Sequence, residues 1–419
     1  MAAIAAAAIL GTAGAARAAP EVSVVTLNQR ENSRIVNITY TLSDEAAIVT
    51  VGIETNGVAI PDSAVTRLSG DVSAVVQPGA RSIVWNAGAD WPEHSVTNAR
   101  ARVTAWVTNS PPQYCAVNVI GGSSASPYPV YYYPSAEGVP GGVTNDLYKT
   151  TQILMRKIPP TDGTFKMGSP SDETGRTAAR EAQVDVSLTK AYYVGIYQVT
   201  QYQWERVMGD WPSYFNNTDY WRTRPLENRS WNDIRGGTWP GDPAGTGQPA
   251  AGTFIDKLCA KTDVPGFDLP TDAQWEYACR AGTTGALNDG TVNLTNTTSD
   301  ARLDLLGRYK ANGGYVDGVT EPAQGCGPAN GTAIVGSYAP NEWGLYDTHA
   351  NVWNWCLDGY ADAMSGGEDP LGAESGSYRV LRGGSWYDPA SNCRSAYRVY
   401  GPPLYRGNGI GFRLVRTLP

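Results

Sequence analysis

Hydrophobic and polar residues alternate through residues 20–108. Val36, Ile38, Tyr40 and Leu42 fall on one side of an extended chain, and Asn37, Thr39 and Thr41 on the other. Val49, Val51 and Ile53 repeat the alternation, as do Ile83 with Trp85 and Val103 with Ala105. Turn signals at Ser43-Asp44, Asn56-Gly57 and Pro78-Gly79 separate the runs. Short period-two runs between closely spaced turns predict an N-terminal antiparallel β-sandwich of immunoglobulin-like size. Its titratable residues are scattered, so it reads as a spacer or adhesion module rather than a catalytic one.

The pattern then changes. Residues 109–150 are rich in Pro, Gly, Ser and Tyr and predict a linker, with a lead-in strand starting near Tyr148. Residues 151–419 mix the two periods, which predicts an α+β domain. Val184, Val186 and Leu188 alternate inward, and Tyr192–Val199 reads as a further strand. Thr200-Gln-Tyr-Gln203 and Thr271-Asp-Ala-Gln274 have capping-box spacing and predict two helix starts. The first helix should bury Trp204, Val207 and Met208 and stop at Gly209; the second should turn Trp275, Ala278 and Cys279 to the core. Beyond Val335 no period persists, and indoles sit among Gly, Asn and short polar runs. Such a stretch must be held by side chains that both pack and hydrogen-bond, which indole does.

Composition supports this picture. The chain has 47 Gly and 28 Pro, and its aromatics are 24 Tyr and 13 Trp against 5 Phe. That suits a loop-rich fold whose core rings carry polar handles. The net charge of −8 and the lack of a basic run argue against nucleic acid, whose phosphates need Lys and Arg. Residues 1–19, with the apolar run Ala2–Leu10 and the small-residue exit Ala16-Arg17-Ala18, fit a secretory signal and predict export to a periplasmic or extracellular space. No other stretch approaches the roughly 18 apolar residues of a membrane span. Disulfides are open to an exported chain with Cys115, Cys259, Cys279, Cys326, Cys356 and Cys393. His94 and His349 are the only histidines, too few for a zinc or three-histidine iron site.

Six stretches occur in one order: GTFKMGSP (163–170), VTQYQWERVMG (199–209), LPTDAQWEYACRAG (269–282), GLYDTHANVWNW (344–355), RVLRGGSW (379–386) and GFR (411–413). Together they resemble the formylglycine-generating enzyme, or sulfatase-modifying factor, domain over roughly residues 150–417. The resemblance implies a C-type-lectin-like, loop-rich fold. It implies a Ca²⁺ site from the Asp347 carboxylate, the Ala350 and Val352 carbonyls and the Asn354 side chain. The family commonly has Glu at the Asn354 position, so an oxygen is kept and a charge lost. In the family a GGS turn precedes two cysteines whose thiolates bind Cu(I) and whose chemistry oxidises a sulfatase cysteine with O₂. Counted from Gly383-Gly384-Ser385, Asp388 falls on the first cysteine position and Cys393 on the second. Ser385 and Trp353 match positions lining the family's cleft, so Cys393, Ser385 and Trp353 are the catalytic candidates. Counted back from GFR, Cys393 instead matches a structural cysteine that the family pairs with the one at Cys279. The family's Arg before Leu269-Pro270 is Asp268 here.

Two functions follow. One is a binding module that holds a peptide, protein or glycan on Trp386, Tyr387, Asp388, Tyr397 and Tyr400, with Tyr405 and Asn408 beside them. Aromatic faces among short hydrogen-bonding side chains suit that task. The other is an active copper oxidase. The arginines Arg382, Arg394, Arg398 and Arg413 are expected to pin loops rather than to bind substrate.

Overall fold

In the computed structural model, residues 19–96, 98–238, 247–313, 322–373 and 376–419 are described. The expected secretory leader, residues 1–19, falls outside them, apart from its last residue. The chain divides into two units between Pro111 and Pro112.

The first unit contains two antiparallel sheets. One has the order Glu21–Gln29, Ile35–Ser43, Gly79–Asn86, Leu68–Gly70. In the other, Ala47–Thr55 pairs with Val58–Ala59, Val75–Val76 and Ala99–Trp106. The register Ile38↔Ile83 aligns the apolar faces of two strands. Val36, Ile38, Tyr40 and Leu42 join Val49, Ile53, Ile83 and Trp85 in one core shared by both sheets.

The second unit is built on a six-stranded antiparallel sheet. Its order is Val130–Tyr133, Tyr114–Asn118, Gln152–Ile158, Tyr192–Gly195, Val415–Thr417, Phe267–Asp268. The expected linker is therefore mostly structure. Two of the six strands come from residues 112–150, and Cys115, Ala116 and Val117 are buried. Proline, glycine and tyrosine there serve turns and packing: Tyr128 donates to the Gly122 carbonyl at 2.9 Å, and Tyr148 donates to that of Pro140 at 2.9 Å. The lead-in strand starts later than expected, because Leu147–Thr150 is a helical turn before Gln152–Ile158.

Both capping boxes form. Thr200 accepts from the Gln203 amide and Gln203 returns the bond, opening the helix Gln201–Met208, which ends at Gly209 in the left-handed region. Thr271 and Gln274 do the same for the helix Asp272–Arg280, whose Trp275, Ala278 and Cys279 are buried. Asp268 just before it takes a bidentate grip from Arg235, at 2.8 and 3.1 Å.

A smaller sheet carries the C-terminal motifs. Trp353–Gly359 pairs antiparallel with Arg379–Arg382 and parallel with Ile410–Gly411, and Arg379–Arg382 pairs with Arg398–Gly401. The WNW, RVLR and GFR stretches are thus neighbours because they share one sheet. Buried arginines tie the surrounding loops, as expected. Arg382 pairs with Asp272 and with Glu276 at 3.0 Å, and Arg398 reaches Asp272 at 2.9 Å. Arg394 grips Glu173, and Glu181 at 2.8 Å. Such charges are tolerated inside only when paired and hydrogen-bonded.

Candidate functional site

The GGS turn follows strand Arg379–Arg382. Gly383 and Gly384 have φ of 98° and 80°, values that favour glycine. A Cβ on Gly384 would lie 2.6 Å from the Cys393 sulfur, so the second glycine also makes room for that thiol. Cys393 is fully buried against Leu287, Leu294, Leu303, Leu306 and Tyr309, and its S–H points to the Pro389 carbonyl at 3.6 Å. Burial pushes the thiol well above its ordinary range, and the nearby Asp388 carboxylate pushes it further. A buried apolar thiol of this kind is inert rather than nucleophilic.

Asp388 is buried and bonded on both oxygens. The Trp353 indole N–H donates to Oδ2 at 2.8 Å, and the Ser385 hydroxyl donates to the same atom. The Asn392 amide donates to Oδ1 at 3.0 Å. Burial pushes its carboxyl up, against the pull of the Ser385, Asn392 and Trp353 donors. Three of the residues read from the sequence, Trp353, Ser385 and Asp388, therefore do meet. What they form is a carboxylate hub. A Cu(I) ion needs two thiolates here; the first position holds an engaged carboxylate and the second a sealed thiol, so the residues present do not fit copper.

The other reading of Cys393 is also corrected: Cys279 and Cys393 are both free thiols. They lie in different apolar clusters, Cys279 beside Trp275, Cys356 and Val380. Cys279 points its S–H at the Thr348 carbonyl, 3.7 Å away.

The expected binding surface divides. Trp386 is buried, donating its indole N–H to the Asn408 carbonyl at 3.1 Å and packing edge-on against Phe215. It and Asp388 are framework rather than surface. Tyr397 is half-buried, with its ring 6.0 Å from that of Trp353. Tyr400 is 40% exposed, but its ring neighbours are Tyr360 at 4.3 Å and Tyr378 at 4.9 Å, a separate patch. Tyr387 remains. With Tyr214, Asn228, Trp386, Tyr405, Arg406 and Asn408 it lines an open recess of about 520 Å³. Tyr405 is 50% exposed, so a ring face is available to a ligand. Asp233 holds Arg406 in two parallel bonds at 2.7 and 2.8 Å. Tyr214, Asn228 and Arg406 were missed in the sequence because the stretches 210–228 and 402–408 have no period and meet only in the fold.

The expected calcium ligands are partly assembled. The Ala350 and Val352 carbonyls converge, together with the carbonyl of Asp347 rather than its carboxylate. All three face the Gln198 side-chain amide, at 3.3, 2.9 and 3.2 Å. The Asn354 oxygen is turned away, accepting from the Trp275 indole at 3.1 Å, while its nitrogen donates to the Val352 carbonyl at 3.0 Å. Among the described residues no group of three His, Cys, Asp or Glu is placed to hold a metal ion. With an amide nitrogen at the focus and one carboxylate nearby, these residues do not fit Ca²⁺ as arranged. His349 is fully buried. Its Nε2 accepts from the Asn288 amide at 3.0 Å and its Nδ1 bonds the Cys393 carbonyl at 2.7 Å.

The sulfatase-modifying factor enzyme 1-like domain model matches residues 150–418. The chain belongs to this family. It is 34% identical to the formylglycine-generating enzyme of Streptomyces coelicolor over 199 residues, which is 44% of this chain and 59% of that protein. It is 27% identical to the inactive C-alpha-formylglycine-generating enzyme 2 of Mus musculus over 287 residues, 60% of this chain and 82% of that one. The solved Treponema denticola variable protein 1 aligns with 29% identity and a TM-score of 0.47, over 64% of this chain and 96% of that chain. The chain thus spans about three fifths of the Streptomyces enzyme's length. Relatives of this sulfatase-modifying factor chain carry names of both active and inactive proteins. No helix among the described residues is long and apolar enough to cross a membrane.

Proposed function

We propose that this sulfatase-modifying factor chain is an exported, non-catalytic binding protein. Its recess beside the GGS turn takes a peptide or protein partner; the same aromatic chemistry would admit a glycan. The observation that carries the reading is Asp388, a buried carboxylate bonded by Trp353, Ser385 and Asn392 where the oxidase would need a thiolate. The recess supports the binding half. Its Tyr405 face is open, while Trp386 beneath is locked by Asn408 and Phe215, so ligand contacts would be made from a rigid floor. The leader read in residues 1–19 supports export, and the two-sheet first unit suits a spacer.

The test is incubation with Cu(I), O₂ and a peptide bearing a sulfatase cysteine motif, read by mass. No loss of about 18 Da, the change on oxidation of cysteine to formylglycine, is expected. Turnover of the peptide would overturn the reading in favour of an oxidase.

A further inference from the structure

The loop 347–352 has an unusual backbone. Asp347, Ala350 and Asn351 have φ of 52°, 66° and 63°, three non-glycine residues in the left-handed region within five positions. Such conformations are costly and persist only where the surroundings over-determine them. Their effect is to curl the loop so that the Asp347, Ala350 and Val352 carbonyls point at one spot. Converging carbonyl dipoles repel each other unless something positive sits between them. Cations commonly play that part in irregular loops.

We infer that in this chain the side-chain amide of Gln198 takes the place of a cation, so that the loop is held without metal. The inference is independent of the proposed function. Gln198 is buried and comes from the end of strand Tyr192–Gly195, with neighbours on both sides pinned: Ile196 to Leu154 and Val199 to Phe412, each at 3.0 Å. Its amide is therefore presented by fixed backbone. The donor count closes. An amide has two hydrogens, which serve the Ala350 and Val352 carbonyls, at 3.3 and 2.9 Å, and Val352 also accepts from the Asn354 side-chain nitrogen at 3.0 Å. The Asp347 carbonyl, 3.2 Å from the amide, has a second donor in Arg413 at 3.2 Å. The nitrogen faces the carbonyls; an oxygen there would add a fourth acceptor and would call for a cation at the focus. The cost is visible too: among the described residues, Gln198 Oε1 and Asp347 Oδ1 are both buried without a hydrogen-bond partner. The grip bears on the binding recess because Val352 precedes Trp353, whose indole fixes Asp388.

Thermal unfolding of the full chain and of Gln198→Glu and Gln198→Met, each in EDTA and in millimolar CaCl₂, tests this. The wild-type melting temperature is expected to be the same in both. Gln198→Met removes the donor and is expected to melt on the order of 5 °C lower in both. Gln198→Glu faces three carbonyls with a carboxylate; it is expected to melt lower in EDTA and to regain most of the loss with Ca²⁺, which stabilises by binding only the folded form. If neither variant folds, the wild-type pair still decides. A saturable rise of the wild-type melting temperature with Ca²⁺ overturns the inference, as does a Gln198→Met variant as stable as the wild type.

Discussion

At residue 388 a carboxylate is built into its surroundings. Three donors converge on the carboxylate, and all three come from residues at least half-buried. Truncation to Ala would leave them without an acceptor, and each unsatisfied buried donor costs about 1–3 kcal/mol. Asp388→Ala is therefore expected to lower stability by about 3 kcal/mol in urea unfolding, with Trp353→Phe, which removes one donor, costing less. Equal stability of Asp388→Ala and wild type would mean that the hub holds nothing. Part of this was legible in the sequence. Counting from the GGS turn placed Asp388 at the cysteine position, and matching motifs singled out Ser385 and Trp353. That Trp353 and Ser385 both donate to Asp388 was not legible, since hydrogen bonds between strand and turn depend on the sheet register. The disulfide expectation failed for a related reason: an inward-facing cysteine at Cys279 is equally well explained by an apolar cluster, because free cysteine behaves as a small hydrophobe.

Among the elements, the helices were the most legible. A capping box is a local device, so Thr200 with Gln203 and Thr271 with Gln274 could be read without knowing the fold. A third box, Ser230 with Asp233, opens the one-turn helix Trp231–Ile234 and was not noticed, because a run that short shows no period. It does more than cap. Asp233 also anchors Arg406 at the rim of the recess. Burial pushes its carboxyl up, but Arg406 and Ser230 together outweigh that and hold it at about 2. A folded-state value below the ordinary 3.8 means the contribution is present above about pH 4 and is lost as pH falls through about 2. Because the Arg406 side chain is 50% exposed, screening reduces it to about 1 kcal/mol. The stability difference between wild type and Asp233→Asn is expected to hold from neutral pH down to about pH 4.5 and to shrink below. Urea titrations across that range check it; a difference that already decays between pH 7 and pH 5 would contradict the assignment.

For the whole molecule the sequence put a boundary in the wrong place, and the error has a measurable consequence. Low-complexity composition made residues 109–150 read as a linker, yet the chain divides at Pro111 and everything beyond it belongs to the second unit. The reason is physical: Tyr-, Pro- and Gly-rich segments serve as well for packed turns and edge strands as for linkers, and only pairing distinguishes them. Tyr114–Asn118 pairs with Gln152–Ile158 through Ile153↔Val117, Leu154↔Ala116 and Met155↔Cys115. A fragment beginning at residue 151, one residue inside the family match, would therefore lose two of the six strands and unpair one edge of Gln152–Ile158. It would also strip cover from the buried Leu154, Ile158 and Tyr192, which share a core with Tyr114, Ala116 and Tyr133. Each large apolar side chain so uncovered forfeits about 1.5–3 kcal/mol, and a domain's whole margin is only about 5–15 kcal/mol. A fragment of residues 112–419 is expected to be soluble and to unfold cooperatively, while residues 151–419 should aggregate or remain unfolded. Circular dichroism and gel filtration of the two, made side by side, decide the matter. A folded 151–419 fragment would mean that strands Tyr114–Asn118 and Val130–Tyr133 only decorate the sheet; failure of both fragments would mean that the second unit needs the first to fold.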